Sequence, residues 1–457
     1  MISNITPELV RKSAISVAII LGIAAIRAIS GIIIPPRSLR GIPKVPLLPF
    51  LNALVRAESF ENFNKKLIMP VLEKRGMACI WFAGRWGIFL SDPSYVKIFM
   101  SRTDSIPKVN ALSQGKFIFD FFGEENVAVS NGEEWRRHRK VLNLAFRHTI
   151  PTEPFGECTH ELFKYIDQAI LHAETVDIPI LMRRLTLDAL GKTLFRFNFN
   201  ALRNPENEYC KYYEGTFGGL ANPVRILFPS ADSIISLFEK HAVQSLAGLN
   251  RVVFDIIEKR KKEIQDGLYK NENIQHKDML TMMIEAESHD DKNRWTTADI
   301  KNNLMVFFLA GHDTTQASLS VAIYYLALFP EIQKLARQEV DHIFSDSDPM
   351  QIPSVDNCRK MKYIDFIIKE SLRMHPPAPN IGPRVVEEPV ELDGVTIPKG
   401  TYLFADIYSL QHSSKYWKDP EKFWPERFYP ENNPPKDAWL AFGGGSRICV
   451  SLLILSV

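Results

Sequence analysis

Cys449 closes the run FGGGSRIC over residues 442–449, and its neighbours are the residue types a metal thiolate needs. Glycines let the backbone approach a sulfur closely and its amides donate hydrogen bonds to it, while Arg447 can meet an acidic group. The same residues also read as a glycine-rich turn around a buried cysteine. A phosphate loop fails because no Gly-Lys-Ser/Thr follows. A second run, AGHDTT at 310–315, lies inside the apolar, helix-like stretch LMVFFLAGHDTTQASL. Gly311 weakens a helix by about 1 kcal/mol relative to alanine, and Asp313 and Thr314 put polar groups among apolar ones. That cost hints at use, although a hydrogen-bonded core residue is the commoner explanation for any lone threonine. Glu370 and Arg373 in ESLR stand at i and i+3 on one helical face, the spacing of an ordinary surface ion pair worth a few tenths of a kcal/mol. Trp135 and Arg139 in WRRHR stand at i and i+4, a spacing that a solvated basic helix face also produces.

FGGGSRIC resembles the haem loop of the cytochrome P-450 family, whose pattern is Phe, two residues, Gly, one residue, Arg, one residue, Cys. Phe442, Gly445, Arg447 and Cys449 all match it. Further segments match in the family's order. By this resemblance Cys449 is the axial ligand of the iron of haem b, and Trp135, Arg139, Arg384, Phe442 and Arg447 belong to the cofactor's site, with Trp135, Arg139 and Arg384 at the propionates. Thr314 hydrogen-bonds dioxygen at the iron, and Asp313 helps deliver protons. Glu370 and Arg373, with Arg427 of PERF at 425–428 as third member, form a buried brace for the segment leading to the haem loop. The implied fold is mainly α with small β-sheets, and the implied reaction inserts one oxygen atom from O2 into a hydrophobic small molecule.

The elements that must position these residues are mostly helical. Val243, Leu246, Leu249, Val253 and Ile257 recur at threes and fours, as do Ile332 and Leu335. Two β-like runs, Ala78–Phe82 and Trp86–Leu90, flank a glycine-containing connection and predict a hairpin. A second β-like patch spans Val390–Phe404 around the turn pair Asp393-Gly394. The charge-rich stretch Lys259–Asp291 reads as a helix end followed by a surface connection. Phe117–Phe122 and Phe217–Phe228 are apolar enough to line a pocket, with core packing as the default.

Of 457 residues, 46% are hydrophobic and 24% charged, and the formal net charge is +2. Such a chain buries a large core and offers no global field for nucleic acid. Its five cysteines are scattered, never at CxxC spacing, which excludes a zinc ribbon or dithiol motif and fits a reducing compartment. Ala14–Ile34 is an apolar run long enough for the ~30 Å hydrocarbon layer, with a cleaved signal peptide as the rival reading. The chain therefore divides into an N-terminal membrane anchor over 1–34, a proline-rich tether over 35–46 and a haem-thiolate domain over 47–457. Arg37, Arg40 and Lys44 outweigh Arg11 and Lys12, placing the body on the cytosolic side of a single-pass endoplasmic reticulum protein. The prolines among these cations predict a stiff, extended leash.

Without a GxGxxG loop, electrons are expected from NADPH through a separate reductase. Arg136, Arg137 and Lys140 offer a positive patch to such an acidic donor. The family pattern breaks just after the ligand: Ser451 stands where glycine is expected two residues past the cysteine, and the helix and β segment that follow in the family are lacking before Val457. A retained intron or wrong gene model is the expectation, since Val450-Ser451 can be encoded by a splice-donor-like GTAAGT. A mature message ending at this codon, with no longer spliced form, would rule that out. If this terminus is genuine, the alternative reading is an inactive member unable to hold haem.

Overall fold

The structure, a computed structural model, describes residues 30–147, 151–268, 277–287, 294–345, 348 and 350–450. Most of the anchor run and everything after Val450 lie outside these residues. No helix among the described residues is long and apolar enough to cross a membrane.

Strands β1 (Met77–Phe82) and β2 (Arg85–Leu90) form the predicted hairpin. Its connection is two residues, Ala83 and Gly84, both at positive φ, as tight primed turns require. Strand β3 (Asn380–Val385) was not expected from the sequence. Strands β4 (Val390–Leu392) and β5 (Val395–Ile397) turn about Asp393 and Gly394 as expected, and β6 (Tyr402–Asp406) completes the set. The larger sheet runs β1-β2-β6-β3, with β2 and β6 parallel and the other pairs antiparallel.

Helices dominate the rest. Those that build the site are α1 (Pro93–Ser101), α2 (Lys116–Phe122), α3 (Gly132–Arg147), α4 (Ile178–Phe195), α5 (Glu208–Leu220), α6 (Lys240–Gln265), α7 (Met279–Glu287), α8 (Thr297–Phe307), α9 (Thr314–Leu328) and α10 (Lys362–Met374). The periodicity read in α6 buries Leu246, Leu249, Val253 and Ile257. Val243 and Leu335 face outward instead, each at the margin of its apolar stripe.

The surface connection expected within 259–291 is corrected by α7, whose Met279, Leu280, Met283 and Ile284 are buried in the central core beside Leu304 and Phe307. Charged flanks hid a short apolar helix. Phe117 and Phe121 join the same core, the default the composition favoured. The extended leash expected over 35–46 is corrected: Arg37–Leu39 coil into a 3-10 turn, and the segment does not stand off the body. Val45 N–H donates to Cys79 O at 2.9 Å and Cys79 N–H to Pro43 O at 2.7 Å, while Leu39, Ile42 and Val45 are buried. The Trp86 indole N–H also donates to Gly31 O at 2.9 Å, so the chain is stitched to the sheet edge from residue 31 onward.

Candidate haem site

Three elements converge: the loop ending at Cys449, the N-terminal half of α3, and the junction of α8 with α9. In the loop, Cys449 N–H donates to Phe442 O at 3.0 Å and Ile448 N–H to Gly445 O at 3.2 Å. Gly443 and Gly445 adopt φ of +70° and +66°, where a side chain is strained. A Cβ on Gly445 would stand 2.9 Å from the carbonyl oxygen of Met100 at the end of α1. Gly445→Ala is therefore expected to cost about 1–3 kcal/mol through backbone strain alone, read by denaturant unfolding, and to loosen the turn that presents the Cys449 sulfur. Val450 is buried in the cluster containing Leu142, Phe146, Leu304 and Phe307, which ties the loop's end to α3 and α8.

Around this loop the sequence candidates Arg139, Arg384 and Arg447 come together with Lys108, which sequence reasoning missed. Arg139 Nη1 donates to Ile448 O at 3.0 Å. Arg384, 2% exposed, donates from Nη1 to Phe99 O at 2.8 Å. Arg447 lies 4.1 Å over the Trp135 ring and donates to Asn131 Oδ1 at 3.3 Å. Asn131 also accepts from Lys108 N–H at 3.0 Å and donates to Lys108 O at 2.9 Å. The Lys108 ammonium donates to Ala128 O at 2.6 Å, and an isolated bridge pairs Lys108 with Arg384. Nothing in the local sequence marks Lys108. Only the pairing of two distant segments brings it in.

Among the described residues no carboxylate forms an ion pair with any of these four cations. Arg384 Nε and Arg447 Nη1 are buried with no acceptor. Burial, and for Arg447 also Arg384 and Arg139, pulls both guanidiniums down to about 10. Burial followed by repulsion from Arg447 and Arg384 pulls the enclosed Lys108 ammonium down to about 7. Unpaired buried cations are costly, and a dianion fits the cluster. Haem supplies one in its two propionates, so the residues present fit that group.

A propionate pair restores the charged form of Lys108, so haem binding is expected to take up a proton above about pH 7, where the unliganded amine has lost it. Apparent haem affinity then falls as pH rises above 7, and binding heats measured in buffers of different ionisation enthalpy report the uptake. For the chain alone the sign is opposite. The folded amine titrates near 7 rather than at its ordinary 10.5, so between those values the unfolded chain holds more protons and raising the pH stabilises the fold.

Between α8 and α9 the helix widens into a π turn, Phe308–Asp313. Thr314 Oγ1 donates to Ala310 O at 2.5 Å and Thr315 Oγ1 to Gly311 O at 2.8 Å, satisfying carbonyls that the widened turn disturbs. Ala310 is exposed although Phe308 and His312 on either side are buried, so the Ala310 and Thr314 face borders open space. Asp313 is half-buried, and burial raises its carboxyl against an opposing pull from Arg183. Along α9 only Gln316 and Tyr325 are buried, leaving Leu319, Val321 and Ile323 half-exposed.

Glu370, Arg373 and Arg427 meet in the interior at 0%, 0% and 5% exposure. Arg373 donates to Glu370 at 2.7 and 2.9 Å, and Arg427 at 2.9 Å. The brace continues through Gln411, which the sequence did not flag. Arg373 Nη1 donates to Gln411 O at 2.8 Å, and Gln411 Oε1 accepts from Leu440 N–H at 3.0 Å, two residues before Phe442.

Of the expected basic patch on α3, Arg136, paired with Glu133, and Lys140 are exposed, but the Arg137 member is corrected. Arg137 is bonded to Glu125 at 3.1 Å, Glu134 at 2.9 Å and Asp299 at 3.0 Å, so its charge is spent inside the fold. Glu125, His138 and Asp299 have metal-ligand spacing, but Arg137 bonds both carboxylates and supplies the compensating cation.

A family model described as Cytochrome P450 matches residues 43–451. The chain is 28% identical over 445 residues to Cytochrome P450 3A41 of Mus musculus, covering 90% of this chain and 82% of that one. It is 29% identical over 428 residues to Cytochrome P450 4X1 of Homo sapiens, covering 91% and 82%. It is 27% identical over 425 residues to Protein LUTEIN DEFICIENT 5, chloroplastic, of Arabidopsis thaliana, covering 90% and 69%.

Proposed function

The chain belongs to the cytochrome P450 family, and from that premise we propose that it is a haem-thiolate monooxygenase in which the Cys449 thiolate would hold the haem iron. The observation that carries this reading is the cluster of buried Arg384 with half-buried Lys108, Arg139 and Arg447, with guanidinium N–H groups of Arg384 and Arg447 lacking acceptors, grouped about the loop that ends in Cys449. When bound, haem would supply an iron centre at which O2, two electrons delivered from outside and two protons give one oxygen atom inserted into a C–H bond of an apolar substrate and one molecule of water.

The chain's own residues hold and deliver. Arg139, Arg384, Arg447 and Lys108 grip the propionates, Trp135 backs the Arg447 guanidinium, and Phe442 closes the turn beside the sulfur. Thr314 spends its hydroxyl proton on Ala310 O, so on the open side its oxygen lone pairs are free to accept a hydrogen bond. Asp313, its carboxyl raised by burial, holds a proton nearer neutral pH than an exposed aspartate and can pass it inward. The electrons come from NADPH through a separate reductase, and the substrate is a hydrophobic small molecule. The apolar run at 14–34 and the cations at 37, 40 and 44 support an anchor in the endoplasmic reticulum membrane with the body facing the cytosol.

The test is spectroscopic. Protein supplied with haem, reduced and treated with carbon monoxide, is expected to show the red-shifted Soret band of thiolate ligation. A preparation that stays colourless would favour the second reading, a family member that does not retain haem.

A further inference from the structure

His312 is the buried polar member of the π turn, at 0% exposure, and none of the roles above uses it. Its ring nitrogens are both engaged. Nε2 lies 2.8 Å from Arg183 O in α4, and Nδ1 lies 2.7 Å from Tyr213 Oη in α5. A carbonyl oxygen only accepts, so Nε2 carries the proton and Nδ1 is the lone pair that receives the Tyr213 hydroxyl. Burial pushes the imidazole down to about 4 and the phenol well above its ordinary range, so this neutral arrangement persists across the working pH. Tyr213, 3% exposed, stacks on Phe217 at 4.1 Å, and Phe217 meets Phe121 of α2 edge-on at 6.1 Å. One residue earlier, Gly311 lets Leu190 of α4 come so close that a Cβ would stand 2.7 Å from its Cδ1.

We propose that His312 is a positioning residue: clamped between the Arg183 carbonyl and the Tyr213 hydroxyl, it fixes the widened turn so that Thr314 is presented to the open side of the helix with half-buried Asp313 held beside it. The π turn is held from outside by α4 and α5, because its own hydrogen bonds are fewer and poorer than those of an α-helix. The clamp also ties α5, through Tyr213 and Phe217, to the apolar layer of α2. A shift of that layer therefore moves the turn that carries the two proton-handling residues. The catalytic part of this inference rests on the monooxygenase reading, while the conformational part does not.

Tyr213→Phe deletes the hydroxyl and keeps the ring stack. Hydrogen–deuterium exchange on the purified full chain, without added haem, is expected to speed up about fivefold in peptides covering 308–314, the weight of one hydrogen bond. Peptides covering α10 should be unchanged. His312→Gln, which keeps a donor and an acceptor, should restore much of the protection that His312→Leu loses. Exchange of 308–314 that is the same in Tyr213→Phe and the parent overturns the proposal. In haem-loaded Tyr213→Phe protein with reductase, kcat is expected to fall on the order of tenfold, as misplaced reacting groups cause, with substrate affinity held within about twofold. An unchanged kcat would overturn the positioning role even if exchange accelerated. If the chain takes up no haem, the exchange result alone decides the clamp, and the failure counts against the monooxygenase reading only.

Discussion

Replacing Cys449 with alanine is expected to abolish the red-shifted carbon monoxide band and to cut product formation by more than the ~10–100-fold that loss of an outer partner costs at a metal site. The fold should survive the change. What holds the loop's end is backbone, the Cys449 N–H to Phe442 O bond, and an alanine keeps it. The cluster of Lys108, Arg139, Arg384 and Arg447 is also untouched, so the variant is expected to bind haem more weakly and show an unshifted band. Absorbance of the reduced, carbon monoxide-treated protein reads ligation directly, and denaturant unfolding without haem reads the fold. A Cys449→Ala protein that kept the shifted band would remove Cys449 as the ligand. One that unfolded at markedly lower denaturant would mean the thiol serves packing.

Glu370→Ala is expected to destabilise the protein by about 3–5 kcal/mol, because it leaves two guanidiniums buried without their carboxylate. Arg373 would keep the carbonyls of Gln411 and Pro420, and Arg427 those of Lys418 and Asp419, but two positive charges would face each other. Against a typical 5–15 kcal/mol of total stability, that loss shifts the urea midpoint strongly and lowers soluble yield. Replacing all three, Glu370, Arg373 and Arg427, by apolar residues of similar volume is expected to cost much less than Glu370→Ala, since no buried charge remains. Equal damage from the single and the triple variant would show that the network's worth lies in its carbonyl bonds. Because Gln411 links Arg373 to Leu440, Glu370→Ala should also loosen the haem loop. A single methyl on Gly445 would test the same loop from the α1 side.

What the sequence made legible and what it concealed divide along contact distance. The hairpin over 77–90 is local, and alternation plus a glycine turn is enough to announce it. Glu370 and Arg373 are visible as an i, i+3 pair, but their burial depends on Arg427 arriving from 54 residues downstream of Arg373. Only the resemblance joined them in advance. Strand β3 was concealed because NIGPRV carries a glycine and a proline, both poor strand formers. It exists by pairing with β6 across the intervening β4 and β5 turn. Lys108 was invisible for the same reason, its neighbours Arg384 and Arg447 being hundreds of residues away. Helix α7 was masked by charged flanks, and the basic run on α3 was misleading at Arg137 alone, because a count of cations cannot tell that Glu125, Glu134 and Asp299 surround it. His312 passed as filler between Gly311 and Asp313, and its partners Arg183 and Tyr213 belong to helices with no motif of their own.

The stitching of the first described residues to the sheet edge bears on how the molecule sits at a bilayer. With Trp86 bonded to Gly31 and Pro43 and Val45 paired to Cys79, the chain from residue 31 onward has almost no free length outside the body. If the apolar run 14–34 anchors the protein as proposed, an enzyme held this way would not swivel like a buoy on its mooring. It would meet the lipid at one fixed tilt, and an electron donor sharing that surface would find the same side of it every time.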